Sequence, residues 1–101
     1  MVPIIENWTR VRGVMERNRP SEQPAGPIAV DLRLDGVEAV NGYPNLLRAA
    51  AGDVITVLVR AAPGGAHDWR PGTVLEGRVR RAGVHRIFAH PEEFGPPRPE
   101  G

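Results

Sequence analysis

The chain has 101 residues, with 13 basic and 12 acidic side chains and a formal net charge of +1. That length fits one domain with a single core, and the near-balance argues against a protein that coats nucleic acid by neutralising phosphates. There is no cysteine, which excludes disulfides, thiolate nucleophiles and Cys-zinc sites together.

Residues 1–7 are a lead-in. Trp8–Glu16 reads as a first strand, with Val11, Gly13 and Met15 on one face and Trp8, Arg10, Arg12, Val14 and Glu16 on the other. Gly13 in mid-strand predicts a bulge or bend. Arg17–Pro27 holds three prolines and a glycine and reads as a loop, because proline cannot donate to a ladder. Ile28–Leu34 alternates cleanly: Ile28, Val30, Leu32 and Leu34 point one way, Ala29, Asp31 and Arg33 the other. Asp35-Gly36 is a two-residue hairpin signal. It predicts a third strand from Val37 to about Asn41, with a second turn at Asn41-Gly42.

Asn45 suits a helix cap, 46–51 is helix-compatible, and Gly52 suits a helix stop, so a short helix is expected there. Val54–Val59, rich in β-branched residues, is the fourth strand. Arg60–Gly72 is a second long loop. Thr73–Arg81 is the last long strand, with Leu75, Gly77 and Val79 inward, and Val84–Ala89 continues it or adds another. The boundaries expected are a domain at 1–90 and an extended or disordered Pro-rich tail at 91–101.

Three strands, a short helix and two strands, with long loops after strands one and four, predict an all-β chain. The expected form is a small five-stranded antiparallel barrel. Three segments carry a resemblance: Trp8-Thr9-Arg10-Val11-Arg12-Gly13-Val14, Gly52-Asp53-Val54-Ile55-Thr56-Val57, and Leu75-Glu76-Gly77-Arg78-Val79. Over about 80 residues the chain resembles the OB-fold, a Greek-key barrel that often binds ligands through its second and third strands and its long loops. An SH3-like barrel is the structural rival; it explains the expected helix less well.

The loops suggest the candidate binding residues. His67, Trp69 and Arg70 lie in the loop after strand four, and Arg17 and Arg19 in the loop after strand one, with outward Arg33 nearby on the second strand. Tryptophan and arginine together can stack on bases and pair with phosphate. The bland alternatives are a tryptophan lid over the barrel end and solvated, salt-bridged arginines. All 13 basic residues are Arg, a usage that GC-rich coding explains, though only Arg offers a planar fork of donors.

His85 and His90, five apart in an extended segment, fall on opposite faces about 16 Å apart, so no metal or cofactor is expected. The single Ser21 lies in a proline-rich loop, and no nucleophile–base motif or phosphate loop appears; the chain reads as a non-enzyme. Three functions remain open. One is an accessory or protein-interaction module. The alternative is a single-stranded nucleic-acid binder using the loops after strands one and four, and a small-molecule or carbohydrate site in the barrel mouth is the third. Exposed strand edges allow a homo-oligomer. Met1–Trp8 lacks the features of a signal peptide and no run approaches the ~18 apolar residues of a membrane span, so the expected location is cytoplasmic, with no membrane partner.

Overall fold

The structure is a computed structural model that describes residues 7–19, 27–45, 47–60, 69–82 and 86–97. Five strands form: β1 Thr9–Arg19, β2 Ile28–Ala39, β3 Val54–Val59, β4 Val74–Arg81 and β5 Ile87–Gly95. They close into a barrel in the order β1-β2-β3-β5-β4. The period-two pattern places the core as the sequence predicts. Val11 and Met15, Val30 and Leu32, Ile55 and Val57, and Leu75 and Val79 all turn inward and are buried. Among the described residues no helix is long and apolar enough to cross a membrane.

The barrel is not purely antiparallel. Four seams are antiparallel, and β3 runs parallel to β5, meeting it at Leu58↔Phe88. The reason is arithmetic: an odd number of strands cannot alternate direction all the way round a closed ring. The β1-β2-β3-β5-β4 order with one parallel seam is compatible with an OB-like barrel.

Asp35-Gly36 is not a hairpin. β2 runs straight through it, and the expected third strand is the far half of β2, with Val37 opposite Val11. Arg12 faces Gly36 while Gly13 faces Leu34, so Asp35 is an extra residue in β2. Glu16 is the matching extra residue in β1, between Met15↔Leu32 and Arg17↔Asp31. Two opposed bulges restore the register and strengthen the twist. The second bulge also carries β1 on to Arg19, so Arg17–Arg19 belong to a strand and not to the loop. Gly13 lies at the first bulge as expected. A Cβ there would sit 2.9 Å from the Leu32 Cγ and would collide with the Arg33 carbonyl.

The helix expected between residues 45 and 51 does not form among the described residues; Leu46 lies outside them. Side chains take the backbone donors instead. Asn45 Oδ1 accepts from the Leu47 amide at 3.1 Å and from Thr9 Oγ1 at 2.8 Å, and Asp53 Oδ2 accepts from the Ala50 amide at 2.9 Å. The Asn45–Leu47 bond is one a helix cap would also make, but Asp53 takes an amide that a continuing helix would pair internally, and two turns of isolated helix are marginal. The segment plugs the barrel end with Leu47, which is buried.

β5 extends to Gly95, so the boundary expected at residue 90 falls inside a strand and 91–95 belong to the barrel. Residues 98–101 lie outside the described residues. Between Val79↔Ala89 and Gly77↔Phe94, the four residues His90–Glu93 of β5 face Arg78 alone. This wide bulge explains Gly77. Its φ is +150°, and a Cβ there would lie 2.6 Å from the Phe94 Cα and collide with the Glu93 carbonyl. Gly77 is buried on the inward parity, but it is the β5 main chain that forbids a side chain.

Candidate functional site

Alternation along β1 sends Arg17 and Arg19 outward, opposite Asp31 and Ala29 of β2. Both arginines bind one carboxylate. Arg17 Nε donates to Asp31 Oδ2, and Arg19 Nη2 donates to Oδ1 at 3.0 Å. Thr56 of β3, directly across from Asp31, donates to Oδ1 at 2.8 Å. The Asp31 side chain is only 8% exposed although it lies on the outer wall. Burial pushes its carboxyl up, but hydrogen bonds from Arg17, Thr56 and Arg19, with attraction to Arg19, hold it below the usual carboxylate range. Arg33 is likewise committed, donating through Nε and Nη2 to Glu16 Oε2 at 3.0 and 2.6 Å.

Trp69 lies on the other side of β1. The intervening Asn18 donates to the Trp69 carbonyl at 3.0 Å. The indole is half-buried against the core, its ring 6.1 Å from that of Phe94 and tilted by 52°. Arg70 is exposed, and its carbonyl accepts from the Thr73 amide at 3.0 Å and from Thr73 Oγ1 at 2.6 Å. His67 lies outside the described residues. Five of the six expected binding residues are therefore described, and they do not converge. Arg17, Arg19 and Arg33 pair with acids on the outer wall, while Trp69 packs inward.

A different constellation forms on the opposite wall. Asn7, 2% exposed, acts as an extra rung on β4. Its Nδ2 donates to the Arg81 carbonyl at 3.0 Å, and its Oδ1 accepts from the Arg81 amide at 2.9 Å. That rung sets Trp8 beside Arg80, since Thr9 pairs with Val79. Arg80 faces Phe88 on β5, and Phe88 faces Leu58 across the parallel seam. These side chains line a groove of about 480 Å³ with Pro27, Arg60, Ala89, His90 and Pro91.

Within the groove, Trp8 and His90 have ring centroids 5.0 Å apart, and the Arg80 guanidinium carbon is 6.0 Å from the Phe88 centroid. His90 is fixed by the β5 bulge: its Nδ1 accepts from the Glu92 and Glu93 amides, each at 3.1 Å. Among the described residues no carboxylate lines the groove, and Glu93 Oε2 lies 3.8 Å from His90 Nε2. Pro27 and Arg60 place it between the ends of the two long loops that the sequence singles out.

Sequence reasoning noted Trp8 beside Arg10 and Arg12 but did not join it to Phe88, His90 or Leu58. The signal was absent because the juxtaposition depends on a bulge and a parallel closure, neither of which leaves a local pattern. Among the described residues no three His, Asp or Glu side chains are grouped to hold a metal ion. Compared with models of known protein families, with curated proteins and with solved structures, the chain matches none.

Proposed function

We propose that the chain is an OB-like barrel acting as a non-catalytic protein-interaction module, with the Trp8–Phe88 groove as its contact surface. The observation that carries this reading is the groove's lining: Trp8, Phe88, Leu58 and His90, flanked by Arg60 and Arg80, with no carboxylate among the described residues. Interface hot spots are enriched in tryptophan and arginine, and binding sites are concave and lined mostly by apolar and aromatic side chains with a few polar groups. The other wall supports the same division of labour. Its arginines are bound to Asp31 and Glu16 and hold strands together.

Aromatic and guanidinium groups together also suit a single nucleic-acid strand, and this is the second reading. One experiment separates them. A benzophenone side chain placed at Leu58 is photo-crosslinked in cells. The expected product is a protease-sensitive, nuclease-resistant adduct that disappears when Phe88→Ala is added. A nuclease-sensitive adduct overturns the protein reading, and no Phe88-dependent adduct of either kind overturns the groove.

A further inference from the structure

We infer that the groove receives a short acidic segment of its partner, with one apolar side chain on the Trp8–Leu58–Phe88 floor and flanking carboxylates on Arg60 and Arg80. This rests on the protein-interaction reading and adds the chemistry of the occupant.

Three observations carry it. The first is charge: among the described residues the lining has two guanidiniums and no carboxylate, while Glu93 pairs with His90 at 3.8 Å. Arg80 lies over the Phe88 ring at 6.0 Å. A guanidinium over a ring face keeps its N–H donors free for a carboxylate. The second is size. A groove of about 480 Å³ is within the range that holds one compact group. Its nine described lining residues fall well short of the roughly 20–30 residues a side of a standard globular interface, so an extended segment fits it better than a folded face.

The third is the boundary of the positive region, which argues against a polynucleotide. A nucleic-acid strand needs a basic track that continues from one phosphate to the next. Beyond His90 the chain presents Glu92 and Glu93, which with Glu76 and a single arginine, Arg10, line the neighbouring depression. On the other side, Arg17 and Arg19 are held by Asp31. The cationic stretch is two arginines long, enough for a pair of carboxylates about one hydrophobic residue.

The test uses the full chain with Trp69→Phe, so that Trp8 is the only tryptophan reporter. Four probes are titrated: a peptide with one Phe flanked by Asp and Glu, the same peptide with Asn and Gln, the same with Lys, and oligothymidylate. The expected result is a change in Trp8 fluorescence with the acidic peptide. Affinity should be about tenfold weaker for the amide peptide, weaker again for the basic one, and about tenfold weaker for the acidic peptide on Arg60→Gln/Arg80→Gln. Arg70→Gln, outside the groove, should leave binding unchanged.

Equal affinity for the acidic and amide peptides overturns the charge assignment, and no response to any peptide overturns the acidic-segment occupant. Tighter binding of oligothymidylate replaces it with a nucleic acid. The crosslinking outcome is independent of these titrations. A Phe88-dependent protein adduct with no preference for the acidic peptide leaves the interaction reading standing and removes only this inference.

Discussion

The two walls of the barrel use arginine for opposite ends. On the β1–β2–β3 wall, Arg17, Arg19 and Arg33 spend their donors on Asp31 and Glu16. On the β3–β5–β4 wall, Arg80 lies over Phe88, and Arg60 edges a groove with no acid among its described lining residues. The difference comes from what strand register puts opposite each arginine. Asp31 stands across from Arg17 because Glu16 bulges out of β1, whereas Arg80 stands across from an aromatic ring. Composition alone, with a net charge of +1, averages over the two and hides both.

The sharpest way to break the comparison is at the base of the groove wall. Gly77→Val drives a branched side chain into the Glu93 and Phe94 main chain at a left-handed φ. Backbone strain and overpacking together predict a loss of about 3–5 kcal/mol in urea unfolding. A loss under about 1 kcal/mol would show that the β5 bulge does not sit over Gly77.

Next comes the opposite wall. Asp31→Asn removes the charge that Arg17 and Arg19 share and should cost about 1–3 kcal/mol at neutral pH. The carboxyl is held below its ordinary range in the folded protein. Its contribution is therefore fully present above the unfolded pKa and is lost as pH falls through the folded one. A stability-versus-pH series should accordingly fall off less steeply in acid for Asp31→Asn than for the parent. Parallel acid limbs would mean that Asp31 does not differ between the folded and unfolded states.

Trp69→Ala should cost about 1–2 kcal/mol, since the half-buried indole packs on the core beside Phe94. It should leave binding in the groove unchanged, and a loss of binding with stability preserved would move the contact surface to the loop. The smallest effect is expected at Glu16→Gln. Its partner Arg33 is 58% exposed and Glu16 is 39% exposed, so the pair is screened and its removal should change stability by less than about 0.5 kcal/mol.

The inward residues were legible because burial on a strand has a period of two. Val30 and Leu32, or Ile55 and Val57, need no partner to reveal their parity. Asp35-Gly36 misled because a dipeptide reports local flexibility, not what the neighbouring strand offers. With Glu16 as a compensating extra residue, a bulge costs less than ending the strand. Asn45 was read as a helix cap, and its side chain does bind the Leu47 amide, but Asp53 takes the Ala50 amide that a continuing helix would use. The loop arginines were recognised as anion-binding types, but Asp31, two residues from Arg33 in the sequence, reaches Arg17 and Arg19 only through strand pairing. The groove needed Trp8, Leu58 and Phe88 together, residues drawn from both ends and the middle of the chain.

The parallel seam has a kinetic meaning. It has one Cα pair among the described residues, Leu58↔Phe88, against five or more in every other seam. With the fewest cross-strand rungs, it is the line along which the ring is expected to open first. The amides of β3 and β5 should therefore exchange with solvent through openings that leave β1 and β2 protected. The groove straddles that line. Whatever occupies it touches both lips at once, so binding acts as a latch: a ligand that favours the shut ring holds it shut in proportion to its own concentration.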